Sequence, residues 1–153
     1  MALRNIVKKG DPILAKTSRK VEYFDDRLMT LLDDMKETMY AAEGVGLAAV
    51  QVGVLRRVIV LDCGDGYLEL INPEIIETSG QQLEEEGCLS IPGEKGVTLR
   101  PAVVKLKAQD RTGKWCIYKA DGLKARCFCH ETDHLDGVLF TDRLAPGSML
   151  NDK

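Results

Sequence analysis

The stretch DGLKARCFCHETDHLDG, residues 121–137, decides how this chain is read. It opens on Asp121 and closes on Asp136-Gly137, with Gly137 placed to stop a helix in the left-handed conformation. Within that helix the run His130-Glu131-Thr132-Asp133-His134 carries the only two histidines of the chain. Positions i and i+4 share a helix face, so the two imidazoles can converge on one metal ion. Glu131 lies one residue from His130, where a carboxylate can take a proton from an activated water. This is the H-E-x-x-H pattern, and it names a reaction class: metal-assisted attack of water on a carbonyl. Two histidines four apart can also be an ordinary polar face. The absence of any other histidine, and the fitting cap and stop, favour the metal.

Outward from this helix the chain alternates short strands with one more helix. Leu28, Leu31, Leu32, Met35, Met39 and Ala42 recur at helical spacing, predicting an N-terminal helix from Asp25 or Asp26 to Ala42 with Asp25 as N-cap. Glu43-Gly44-Val45-Gly46 stops it, a role the paired glycines suit. Arg57–Leu61 and Tyr67–Ile71 read as strands around the turn 63–66. Residues 102–108 and 115–118 read as a hairpin around Asp110-Arg111-Thr112-Gly113. Residues from Pro12 to Lys20 read as an extended arm. Segregated helices around mixed or antiparallel strands predict an α+β fold, one compact domain over residues 1–153, built around the metal-binding helix.

Composition closes off other classes. The net charge of −3 and scattered lysines leave no nucleic-acid footprint. No run is long and apolar enough for a membrane span or a signal peptide. Five cysteines, an odd number without a framework, suit a reducing compartment, so a cytoplasmic protein is expected.

A catalytic site of this kind needs three protein ligands and one open position. Cys127 shares a face with His130 but lies seven residues from His134, roughly 10.5 Å along the axis, too far for a short side chain. Cys129 points to another face. Both read as small core residues. Cys63 and Cys116 carry no local signal. Cys88 lies in Glu84-Glu85-Glu86-Gly87-Cys88-Leu89-Ser90-Ile91-Pro92, a loop or edge strand that can present a thiolate. On spacing alone a third ligand and a buried free cysteine both remain open for it.

Three segments together resemble the peptide deformylases. Gly44-Val45-Gly46-Leu47-Ala48-Ala49-Val50-Gln51 matches that family's G-x-G-L-A-A-x-Q motif, Glu86-Gly87-Cys88-Leu89-Ser90 its E-G-C-L-S motif, and His130–Leu135 its H-E-x-D-H-L motif. Residues 4–14 also look like the family's N-terminus, so the similarity runs from about residue 4 to 146. The resemblance implies release of formate from N-formylmethionyl nascent peptides in the bacterial cytoplasm, with ribosome contact left open. It implies Cys88, His130 and His134 as ligands of one divalent metal, usually Fe(II), with Zn, Ni or Co as substitutes.

The residue types fit that chemistry. Glu131 would act as general base and then acid. Gln51, through its amide, and Leu89, through its backbone N–H, would donate to the oxyanion. Gly44, Gly46 and Gly87, with Val45, would leave room for a peptide that adds as an extra strand. Val45, Leu89, Ile91 and Leu123 would wall an apolar pocket. Glu86, Arg100 and Asp133 would orient the ligands, whereas Asp136 and Arg143 read as ordinary cap or surface charges.

Two positions depart from the family: Cys129 replaces a common glutamine, and Lys95 stands where many relatives carry arginine. The short tail beyond Pro146 predicts no long C-terminal helix. Two other readings use the same helix: a general H-E-x-x-H zinc peptidase, and a metal-binding homologue without activity.

Overall fold

The computed structural model describes residues 2–149. Among the described residues, two α-helices and eight strands form an α+β fold. Helix α1 is Asp26–Ala41 and helix α2 is Gly122–Leu135. The strands are β1 Gly46–Ala48, β2 Val58–Asp62, β3 Tyr67–Ser79, β4 Gln82–Cys88, β5 Ile91–Arg100, β6 Val103–Gln109, β7 Trp115–Asp121 and β8 Leu144–Met149. One sheet has the order β1-β2-β3-β6-β7 and the other β4-β5-β8. All these pairings are antiparallel. No helix among the described residues is long and apolar enough to cross a membrane.

The core forms in two parts. Leu28, Leu32, Met35 and Met39 of α1 pack on Leu47, Val58, Val60 and Ile71. On the opposite face of the same sheet, Ala125, Phe128 and Cys129 of α2 pack on Ile59, Leu61, Leu70, Val104 and Leu106. The period-two alternation of β2 divides its residues between the two clusters, so Val58 and Val60 serve α1 while Ile59 and Leu61 serve α2. This seats α2 against the sheet with its histidine face free to meet β4.

Both helix ends are chemically defined. The Asp25 carboxylate accepts from the Leu28 N–H at 3.1 Å, the predicted N-cap. At the end of α1 the residue in the left-handed region is Glu43, at φ 56°, and not a glycine. Glu43 N–H donates to Tyr40 O, and Gly44 N–H to Met39 O at 3.0 Å, closing a Schellman motif. The glycines that follow serve another purpose, described below. Helix α2 stops as expected: Gly137 has φ 76°, with Gly137 N–H to His134 O and Val138 N–H to Asp133 O.

Two expectations change, and a third, the edge strand that carries Cys88, is met. Pro12–Ala15 is a 3₁₀ turn N-capped by Asp11 and not an extended arm, because the carboxylate satisfies the Ile13 N–H. Strand β3 runs eight residues past Ile71 because β6 pairs with that half, beyond the reach of β2. Residues 84–92 belong to a tight hairpin in which Cys88 pairs with Ile91 across Leu89-Ser90. The N-terminal segment fastens this hairpin to the rest. Lys9 N–H donates to Ser90 O and Val7 N–H to Gln51 O, both at 2.7 Å.

Candidate active site

Three segments far apart in sequence meet over the buried face of α2. The β4–β5 hairpin brings Cys88, the 3₁₀ turn Ala49–Val52 after β1 brings Gln51, and α2 brings His130, Glu131 and His134. Ligand atoms of Cys88, His130 and His134 lie within 4.8 Å of one another. Cys88 Sγ sits 3.3 Å from His134 Nε2. Among the described residues this is the one such group of three or more histidine, cysteine or acidic side chains.

Buried polar bonds fix each side chain. His130 Nδ1 lies 2.8 Å from Glu86 Oε1, which leaves Nε2 for a ligand. Arg100 donates from Nε and Nη2 to the two Glu86 oxygens, both at 3.0 Å, and from Nη1 to Asp133 at 2.6 Å. Thr98 Oγ1 donates to Glu86 Oε2 at 2.5 Å. Glu86, Thr98 and Arg100 are all buried. Alternation puts residues 86, 98 and 100 on one face of the β4–β5 ribbon, towards α2. Arg143, an exposed charge as expected, donates to both Asp133 oxygens at 3.2 and 3.3 Å and closes the outer end of this chain. Asp136 caps α2 and pairs with Arg57 at 2.9 Å. No local pattern pointed to Thr98, because a threonine in a strand is ordinary.

Gln51 is locked in one orientation. Its Oε1 accepts from the Ala48 N–H at 2.9 Å, so Nε2 must face the site, 3.1 Å from Ser90 Oγ and 3.6 Å from Cys88 Sγ. Ser90, fully buried, thereby acquires a positioning role.

Glycine at 46 is required by packing. A Cβ there would lie 2.7 Å from Glu131 Oε2 and 3.0 Å from its Cγ. At Gly44 a Cβ would lie 2.7 Å from Cδ1 at the end of the Leu89 side chain, and at Gly87 nothing comes closer than 3.7 Å. Gly46 thus leaves room for the carboxylate of α2, whereas Gly87 has space in front of it.

Burial pushes the Glu131 carboxyl up to about 7, with Glu86 adding to it and His130 and Arg100 opposing. Its Oε1 is buried without a hydrogen-bond partner among the described residues. Burial and the neighbouring His130 hold His134 well below its ordinary value, the neutral form that ligates. Burial would also lower His130, but its contacts with Cys88 and Glu86 outweigh that and lift it to about 10. Burial would raise Glu86, but its bonds to His130 and Arg100 hold it near 2.

A thiol and two imidazoles, oriented by a carboxylate–arginine pair, suit a divalent transition ion with an open position. The partnerless Glu131 oxygen beside them fits a water at that position. Over the site opens a cleft of about 530 Å³, lined by Val45, Leu89, Ile91, Leu123 and Cys127 on its apolar side. Cys127 stays outside the ligand group, as its spacing predicts, but it forms part of the cleft wall as well as the packing of α2. Lys95 lines the rim and pairs with Glu85 at 3.6 Å.

Comparison with known proteins agrees with this geometry. The family model for polypeptide deformylase matches residues 3–149. Peptide deformylase 1 of Clostridium acetobutylicum is 59% identical, over 95% of this chain and 97% of its own. The peptide deformylase of Alkaliphilus metalliredigens is 56% identical, over 94% and 98%. Among solved structures, the Thermotoga maritima peptide deformylase superposes with a TM-score of 0.93 at 42% identity, over 95% of this chain and 100% of its own. Sequence, fold and clustered ligands together place this chain in the polypeptide deformylase family of enzymes.

Proposed function

We propose that the chain hydrolyses the formyl amide of N-formylmethionyl nascent peptides and releases formate. The observation that carries this reading is the buried, partnerless Glu131 oxygen beside the Cys88, His130 and His134 group, on a cleft that Gln51 also faces. Cys88, His130 and His134 would hold one divalent ion per chain, Fe(II) by resemblance, with zinc, nickel or cobalt as substitutes. When bound, such an ion lowers the pKa of a water and polarises the formyl oxygen.

The rest is the work of the chain's own side chains. Glu131 takes a proton at Oε1 and returns it to the leaving amine; a carboxyl raised towards neutrality is matched to both tasks. Gln51 Nε2 and the Leu89 N–H donate to the oxygen on which negative charge develops. Val45, Leu89, Ile91 and Leu123 receive the methionine side chain. The backbone at Gly44 and Gly87 lets the peptide approach as an added strand, and Gly46 keeps Glu131 in place. Glu86, Arg100 and Asp133 hold His130 and the end of α2. Five free cysteines suit work in a reducing bacterial cytoplasm, on chains leaving the ribosome.

The test is formate release from N-formyl-Met-Ala-Ser by anaerobically purified protein, with metal quantified on the same sample. About one metal per chain and turnover that Glu131→Ala abolishes without metal loss is the expected result. Cleavage of internal amides in unformylated peptides would favour a general peptidase. Bound metal without turnover under iron, nickel and cobalt loading alike would reduce the chain to a metal-binding homologue.

A further inference from the structure

Arg126 stands in the wall of the active-site cleft and has no part in the chemistry above. It lies on α2 one turn before His130, on the same helix face. Glu85, Glu86, Gly87 and Cys88 of β4 line the cleft beside it. Its Nη1 donates to the Glu85 backbone carbonyl at 3.2 Å. Its Nε is buried and has no hydrogen-bond partner among the described residues. An arginine at a surface ordinarily keeps its head in water. This one holds its head against a strand.

That strand is an edge. β4 closes its sheet on one side and pairs only with β5. An edge offers its backbone groups to an added strand, and groups of one orientation recur every second residue. Gly87 and Glu85 are successive positions of that period. At Gly87 the approach is open, since a Cβ built there would meet nothing closer than 3.7 Å. At Glu85 the carbonyl already has its donor in Arg126.

We propose that Arg126 ends the peptide groove: an added strand pairs with β4 beside Gly87 and is stopped at Glu85, so that only the first three residues of the substrate are read. This rests on the deformylase reading and on strand addition at Gly87.

The stop works by competition for one acceptor. To extend the ladder, a peptide N–H must take the Glu85 carbonyl from a guanidinium. That exchanges a charge-assisted bond for a neutral one. It also leaves the cation worse satisfied, because Nε is already without a partner and Nη1 would lose its own. The length follows from strand geometry. From Cys88 to Glu85 is three residue steps, roughly 10 Å at about 3.3 Å each. With the formyl group at Cys88, formylmethionine and two further residues fill this stretch. Beyond the third residue the chain leaves the edge, and its sequence has no bearing on binding. Such a groove suits a set of substrates that share only their first residue.

The experiment measures KM for N-formyl-Met-Ala-Ser and for the hexapeptide N-formyl-Met-Ala-Ser-Ala-Ser-Ala, in metal-loaded parent and Arg126→Met protein. Methionine keeps an unbranched apolar stem and removes every donor. In the parent the two KM values should agree within about twofold. In Arg126→Met the hexapeptide should have the lower KM by roughly two- to tenfold, the scale of one added backbone hydrogen bond. Hexapeptides N-methylated at the fourth or fifth residue supply the control, because strand alternation puts the new donor on one of these two amides. One of the two should lose the gain in the variant, and neither should alter KM in the parent. A general packing defect would move tripeptide and hexapeptide together and would not respond to the methyl group. Equal KM values for the two peptides in Arg126→Met would overturn the proposal. So would a parent KM that falls by more than about twofold from tripeptide to hexapeptide, a result that needs no variant to fold. If no form releases formate, the deformylase reading fails by itself. Calorimetric binding of the two unformylated peptides to parent and variant would then still read the length of the groove.

Discussion

Replacing Gly46 by alanine tests whether the position of Glu131 is set by the absence of a single methyl group. The added Cβ would meet Glu131 Oε2 at 2.7 Å, Cγ at 3.0 Å and Cδ at 3.1 Å. Ordinary contact begins near 3.4 Å, so the carboxylate must retreat by about 0.7 Å. Three atoms of one side chain are crowded at once, and rotation about the last bond cannot relieve all three. Gly46 itself cannot withdraw easily, because it is paired with Leu61 of β2. Misplacement on the scale of 1 Å costs roughly a hundredfold in rate. Gly46→Ala should thus lower kcat by roughly 30- to 100-fold, leave KM within a few-fold, and cost about 1–3 kcal/mol of stability through overpacking. Formate release, metal content and thermal unfolding on the same preparation separate these effects. Gly87→Ala is the control. A Cβ there meets nothing within 3.7 Å, so it should change KM and spare kcat. A Gly46→Ala protein with normal metal content and kcat within twofold of the parent would refute the reasoning.

Other consequences follow from the same site. Arg100→Met leaves the Glu86 carboxylate buried without its cation, and should cost about 3–5 kcal/mol in chemical denaturation; a loss below 1 kcal/mol would mean that solvent reaches Glu86. Gln51→Ala should lower kcat roughly 10²- to 10³-fold while metal stays bound, and a purely structural Gln51 would lower stability and leave kcat alone. In metal-stripped protein the depressed Glu86 carboxyl adds stability that is fully present above its ordinary value near 4.5. That stability is lost as pH falls towards 2, about 3 kcal/mol in all. Urea midpoints between pH 6 and pH 2.5 should show this fall, and Glu86→Gln should lack its share of it.

The sequence by itself determined the helices and the list of chemical groups. Period-3.6 apolar spacing placed α1 within a residue at each end, and Asp25 and Gly137 marked their caps, because capping is a local matter of one side chain or one backbone angle. The H-E-x-x-H run named two neighbouring ligand positions because helix geometry alone makes i and i+4 converge. The third position was different. From the residues alone Cys88 remained open between ligand and buried thiol, and only the motif resemblance favoured the first. Tertiary structure brought it to the histidines, through a hairpin pinned by Lys9 and Val7 that sets its sulfur 3.3 Å from His134. It also gave the exposed Arg143 a bonded partner in Asp133, and gave Thr98 and Ser90 work that no local pattern carries. Gly46 shows the distinction most plainly. A glycine in a strand reads as backbone freedom, yet its φ is not in the left-handed region. What it supplies is space for a carboxylate 85 positions later in the chain, and such space is a property of two packed elements, which neither sequence segment holds alone.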